Sequence, residues 1–151
     1  MTVDYFSGFF EVDRLEGQKT ASVIIHRLKQ HFARHGIPQE CVTDGGPPFN
    51  SSDFRQFAER YDFRHTVSSP YYSPSNGRAE AGVKVAKTLL KKATDAGIDI
   101  YLELLEWRNT PSEQLKLSPA QIMFGRRTRS LFPTAPQLLT TQNDRDIQQR
   151  L

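Results

Sequence analysis

Val42-Thr43-Asp44-Gly45-Gly46-Pro47-Pro48-Phe49 and Ser73-Pro74-Ser75-Asn76-Gly77-Arg78-Ala79-Glu80 bound the stretch on which the reading of this 151-residue chain turns. Asp44 follows the short apolar run Cys41-Val42-Thr43, which reads as a buried strand. Glu80 opens a helix just after Asn76-Gly77, a strong turn signal. The 35 residues between the two carboxylates (80 − 44 − 1) hold a loop, a helix, a strand and a second loop. That is one excursion away from a sheet and back to its edge. Two carboxylates delivered this way suit a shared divalent cation, since hard cations such as Mg²⁺ take oxygen ligands. Two such ions about 4 Å apart clamp the attacking and leaving oxygens of a phosphodiester.

Outward from this stretch the chain alternates strand and helix. Met1 to about Arg14 reads as a β-hairpin of aromatic and β-branched residues, Val3–Phe6 and Phe9–Val12, with Ser7-Gly8 as the turn. Lys19–His35 is a helix anchored by Val23, Leu28 and Phe32, capped by Gly36 and stopped by Pro38. Ser51 or Ser52 caps a second helix, on which Phe54, Phe57, Ala58 and Tyr61 recur at helical spacing. Arg64–Val67 is a short strand, and Ser68–Gly77 is a loop rich in Pro, Ser and Tyr. The next helix runs from Ala79 to Ala96, with Ala79, Val83, Ala86, Leu90 and Ala93 as its inward stripe and Gly97 at its end. Ile100–Asn109 is helical. Ser118-Pro119-Ala120-Gln121 supplies an N-cap, a first-turn proline and a capping-box glutamine for a short helix ending at Gly125. Beyond Pro133 the sequence is polar, so the expected organisation is a core over 1–134 and a linker or tail over 135–151. The class is α/β.

Composition sets wider bounds. One domain is the prior for this length. A net charge of +3 and a pI near 9.1 permit a nucleic-acid partner without requiring one. Cys41 is the single cysteine, which excludes a disulfide framework and a cysteine-rich zinc site and fits a reducing compartment. No apolar run approaches the roughly 20 residues of a membrane span. Neither a signal peptide nor an obvious transit peptide opens the chain.

The Asp44 segment, the 35-residue gap and Ser75-Asn76-Gly77-Arg78-Ala79-Glu80 resemble the second and third acidic residues of retroviral-type integrases, in the manner of the Gypsy/Ty3 class of LTR retrotransposons. Val3-Asp4-Tyr5-Phe6-Ser7, His35-Gly36-Ile37-Pro38, Ser68-Ser69-Pro70-Tyr71-Tyr72, Trp107-Arg108-Asn109-Thr110-Pro111 and Leu117 to Arg127 extend the resemblance from Val3 to about Thr134. Gly45 stands where the family usually has Asn, and Pro74 lies one place from the usual proline. The resemblance implies a ribonuclease-H-like fold, a mixed central sheet flanked by helices. It implies metal-dependent polynucleotidyl transfer, in which water attacks a phosphodiester near the element's 3′ end and the freed hydroxyl attacks target DNA. Asp44 and Glu80 would be the catalytic metal ligands for Mg²⁺, with Mn²⁺ as substitute. Asn76, Tyr71, Tyr72, Lys84 and Lys87 would contact DNA. Element ends and target are the implied double-stranded DNA partners, a homodimer is the implied assembly, and the nucleus, site of integration, is the implied location.

In that family a three-stranded meander precedes the first helix, and its first strand carries the first catalytic Asp. About 18 residues precede the helix here, fewer than the roughly 20 or more that three strands need. Asp4 is therefore read as a second-strand residue and the first strand as missing. On that reading the hairpin is loosely held or paired in a compensating way, and the chain as given does not cut or join DNA. The alternatives are a nonenzymatic DNA- or protein-binding domesticated fragment and a transposon remnant.

Each candidate also has a plainer reading. Asp44-Gly45 is a common turn pair, and Glu80 is an acid suited to a helix's first turn. Lys84, Lys87 and Lys91 follow Glu80 on one helix face, which is commonly just solvated. Arg126, Arg127 and Arg129 form a basic cluster facing DNA, a receptor or solvent. His26, His31, His35 and His65 lack metal spacing, and His65 reads as an ordinary strand residue.

Overall fold

The computed structural model describes residues 1–68, 77–113 and 115–141, with the side chains of residues 77–80 outside the description. Its elements are β1 (Thr2–Val3), β2 (Phe10–Glu11), α1 (Ala21–His35), β3 (Glu40–Thr43), α2 (Ser52–Arg60), β4 (Arg64–Val67), α3 (Gly77–Ala96), α4 (Ile100–Asn109), α5 (Pro119–Phe124) and α6 (Pro136–Leu139). Strands β1 and β2 pair with each other, and β3 pairs with β4. The sheet is thus present as two separate two-stranded pieces among the described residues. None of the described helices is long and apolar enough to cross a membrane. The chain divides into two compact units, one of Met1–Thr2 with Glu11–Gly77, the other of Val3–Phe10 with Arg78–Leu151.

The first unit is built around phenylalanine. Leu28 and Phe32 of α1 meet Phe54, Phe57 and Ala58 of α2 and Phe63 before β4, all buried. Phe32 stacks on Phe57 at 5.8 Å, and Phe63 stands edge-on to Phe57 at 5.1 Å. Full burial of one such ring stabilises by about 1.5–3 kcal/mol, so Phe54, with no exposed surface, is a principal anchor. The helix limits follow from the caps. Thr20 accepts from Val23 N at the start of α1, and Gly36 closes it at φ 90 with its N–H on Phe32 O. Ser51 is the residue that caps α2. Strands β3 and β4 run parallel in the register Glu40↔Arg64, Cys41↔His65, Val42↔Thr66 and Thr43↔Val67. Parallel strands need a crossover, and α2 supplies it.

In the second unit Phe10 is fully buried with its ring 4.5 Å from Trp107 of α4. Phe9 stands edge-on to Phe124 of α5 at 5.3 Å, and the Arg108 guanidinium covers Phe9 at 4.3 Å while donating to Phe10 O at 2.6 Å. Phe9 and Phe10 of the hairpin are therefore anchored by two aromatic contacts and an arginine rather than loosely held. Its strands are shorter than expected because the turn is longer: Gly8 N donates to Asp4 O, and Asp4 N to Phe9 O. The Ser118–Gln121 capping box forms as anticipated, and Gly125 ends α5 in the left-handed conformation. Asn109 fastens the end of α4 to Thr128 through Nδ2 to its carbonyl and Oδ1 from its N–H. Helix α6 lies within the expected tail, and its Leu138 O accepts from Arg127 N at 2.8 Å.

The inward stripe of α3 differs by one position from the expected one. Gly82, Ala86 and Ala93 are buried, with Val85 and Leu89 half-buried, whereas Val83 and Leu90 are 37% and 43% exposed. Ala86 and Ala93 belong to both arcs. Hydropathy ranks Val83 above Gly82, and burial here does not follow that ranking.

Candidate active site

Asp44 sits one residue past the carboxyl end of β3, exposed to solvent. The strand pair continues to its threshold: Ser68 N donates to Thr43 O at 2.8 Å, and Ser68 Oγ reaches the same carbonyl at 3.2 Å. The residues after Asp44 leave it room. A Cβ at Gly46 would lie 3.5 Å from Asp44 Oδ1, so the carboxylate leans over that glycine. A Cβ at Gly45 would fall 2.9 Å from Val67 Cγ1, too close for any side chain without movement. The departure from the usual Asn at this position thus has a local cause, the approach of β4. No hydrogen bond or ion pair engages the Asp44 carboxylate among the described residues. An open, oxygen-only donor at a strand end fits a hard divalent cation as one of its ligands.

Glu80 lies in the first turn of α3. Its i+4, i+7 and i+11 positions are Lys84, Lys87 and Lys91, all exposed and on the arc opposite Gly82, Ala86 and Ala93. None of the three takes part in an ion pair among the described residues. Lys92, one residue on, turns away and pairs with Glu103 at 3.4 Å. Asn76, Tyr71 and Tyr72 lie outside the described residues. Asp44 and Glu80 fall in different units, and the sequence motif alone links them.

Asp4 has other work. Its Oδ2 accepts from Ser7 N at 2.7 Å and from Ser7 Oγ, while Ser7 Oγ accepts from Phe9 N at 3.1 Å. Asp4 thus lies just past β1 rather than within a strand, and its carboxylate is committed to the hairpin turn. No group of three or more His, Cys, Asp or Glu that could hold a metal forms among the described residues. His31 is buried, with Nδ1 on Thr2 Oγ1 and Nε2 2.9 Å from Asp13 Oδ2. Nε2 has no aligned hydrogen bond, so Asp13 supplies attraction without a directed bond. Burial outweighs it and lowers the His31 pKa. His35 Nε2 contacts Glu11 Oε1 at 2.8 Å. Burial pushes the Cys41 thiol up to about 11. Arg126 and Arg129 are exposed; Arg127 is partly buried, with an Nε that finds no partner.

Sequence reasoning passed over the surroundings of Thr43. Its Oγ1 donates to Asp44 O at 2.9 Å and contacts His65 Nε2 at 2.8 Å. On the other face of the pair, Glu40 accepts from Thr66 Oγ1 and from Arg64 at 3.0 Å. The Thr66 hydroxyl first and Arg64 second hold the Glu40 carboxyl below its ordinary range. Register alone brings these groups together, and no local pattern announces it.

Known proteins match both the sequence and the fold. Residues 1–73 match the integrase core domain family. The Uncharacterized protein K02A2.6 of Caenorhabditis elegans is 32% identical over 143 residues, 89% of this chain and 11% of that protein. The chain thus spans about a tenth of the length of this curated relative. The catalytic core domain of BIV integrase superposes with a TM-score of 0.68 at 19% identity, covering 80% of this chain and 81% of that one. The HTLV-2 integrase catalytic core domain in complex with magnesium, in a dimeric form, gives a TM-score of 0.62 at 24% identity, covering 81% and 80%. Residues 1–73 thus carry the integrase core domain match, and the chain has the ribonuclease-H-like fold of retroviral-type integrase catalytic cores.

Proposed function

We propose that this chain handles double-stranded DNA, element ends and target, as the core of a Gypsy/Ty3-class integrase acting by metal-dependent polynucleotidyl transfer. The observation that carries this reading is the face of α3 on which Lys84, Lys87 and Lys91, all exposed, stand in register with Glu80 and opposite the buried arc. Cations in this row suit a phosphate backbone, and the row continues along α3 from the turn that holds Glu80. Asn76, Tyr71 and Tyr72, in the segment before α3, are assigned to the DNA end, the tyrosines by stacking on unpaired bases. Asp44 and Glu80 are assigned to Mg²⁺, for which Mn²⁺ substitutes. Bound there, the metal would polarise the scissile phosphate and favour hydroxide as nucleophile. Neither carboxylate forms a bond to the substrate. Asp4 is spoken for by Ser7, so the chain as given presents two acidic ligands rather than three and binds DNA without joining it. The HTLV-2 core's magnesium complex and dimeric form support the metal and a homodimer, and the nucleus, where integration occurs, is the compartment that goes with this chemistry.

The test is duplex binding over a salt series. Replacing Lys84 and Lys87 with Ala should weaken binding across sequences and reduce the slope of log K against log salt by about one unit for each phosphate no longer neutralised. An unchanged slope in the double variant would return the lysines to solvent. Mn²⁺ titration of Asp44→Asn and Glu80→Gln checks the ligand assignment; wild-type affinity in both variants would remove it.

A further inference from the structure

Asp44 has no partner of its own among the described residues, so its direction depends on the peptide that carries it. Three contacts from β4 and the residue after it fix that peptide. Ser68 N holds Thr43 O at 2.8 Å. Val67 Cγ1 stands 2.9 Å from where a Cβ at Gly45 would be, closing over the backbone just past Asp44. The third contact runs through side chains. Thr43 Oγ1 has one proton and donates it to Asp44 O at 2.9 Å. The 2.8 Å contact between His65 Nε2 and the same oxygen must then be closed by the imidazole as donor. The ring is held for this by Phe54, fully buried, whose centroid lies 4.7 Å away.

We propose that His65 is a positioning residue for Asp44: the relay from His65 Nε2–H to Thr43 Oγ1–H to the Asp44 carbonyl orients the peptide that presents the carboxylate. This rests on the reading of Asp44 as a metal ligand. It assigns His65 the Nε2–H tautomer, with Nδ1 unprotonated. Burial lowers the His65 pKa, in keeping with a neutral ring that has a single N–H to place. Groups that orient a metal ligand without touching the metal commonly change affinity about tenfold or more when removed.

Two readouts test this. In the metal-free chain, nitrogen NMR of His65 should show the Nε2–H tautomer, and hydrogen exchange at the Asp44 and Gly45 amides should be several-fold faster in His65→Phe and Thr43→Val. The phenylalanine keeps the packing on Phe54 and removes only the donor, and Thr43→Ser should restore wild-type exchange. In Mn²⁺ binding followed by electron paramagnetic resonance, His65→Phe and Thr43→Val should each weaken affinity about tenfold, and the double variant should be no weaker than either. Wild-type exchange and affinity in His65→Phe, or equal defects in Thr43→Ser and Thr43→Val, would overturn the relay. If Asp44→Asn binds Mn²⁺ as the wild type does while the exchange changes persist, the ligand reading fails and the relay stands.

Discussion

Replacing Asp4 separates a structural carboxylate from a catalytic one. Its Oδ2 receives the Ser7 N–H at 2.7 Å and the Ser7 hydroxyl, and Ser7 is itself buried at 6% exposure. Asp4→Ala would strand both donors inside the turn. A hydrogen bond to a charged acceptor contributes about 1.5–3 kcal/mol. The partial exposure of Asp4 lets water recover part of that, so the expected loss for both bonds is about 2–3 kcal/mol. Asp4→Asn keeps a carbonyl acceptor, loses the charge and should cost about 1 kcal/mol. Against a total stability of about 5–15 kcal/mol, the alanine variant should show a clear drop in the urea midpoint at unchanged slope. The turn also orients Phe9 and Phe10, so Trp107 fluorescence should report the same transition. Mn²⁺ affinity should not move in either variant. Stability equal to wild type together with lost Mn²⁺ binding would make Asp4 a ligand and refute the assignment of its carboxylate to the turn.

Other outcomes follow from single contacts. Gly45→Asn, which restores the family's usual residue, should destabilise by about 1–3 kcal/mol because its Cβ meets Val67 Cγ1 at 2.9 Å; thermal melts should show recovery in Gly45→Asn with Val67→Ala. Ser118→Ala removes the cap of α5 and leaves Gln121 N without its acceptor in a buried site, while the backbone N–H at 118 still donates to Gln121 Oε1; the loss should be about 1–2 kcal/mol by denaturant unfolding. The pKa of His31 is lowered in the folded state by burial, against the attraction of Asp13 and Glu11. Below the ordinary value near 6.5 the unfolded chain binds the proton more readily, so the stability due to His31 is full above that value and is lost as pH falls toward the folded pKa. A pH series on His31→Gln should show a flatter acid limb than wild type, and an identical limb would contradict the direction of the shift.

Short-range chemistry makes the elements legible. Gly36, Ser51, Ser118 and Gly125 mark helix limits through bonds to residues three or four positions away, and a sequence displays such spacings directly. The α3 stripe reads one position off because hydropathy favours Val83 over Gly82, whereas Gly82 is buried and Val83 is 37% exposed. The hairpin strands read too long for a related reason. The Asp4 carboxylate captures Ser7, and the turn takes residues whose composition is that of a strand.

The site divides along the same line. Asp44 is legible because a carboxylate after Cys41-Val42-Thr43 ends a strand, and the lysine row because it repeats at helical spacing. The groups that hold Asp44 are not. Thr43 and His65 are 22 residues apart, and only the parallel register of β3 with β4 sets them side by side. A slip of one residue would turn His65 to the opposite face and carry Arg64 and Thr66 away from Glu40. That network therefore guards the register: Arg64 and Thr66 both reach Glu40 only when Glu40 is opposite Arg64. The exposed face of the strand pair thus secures the alignment on which the Asp44 side depends.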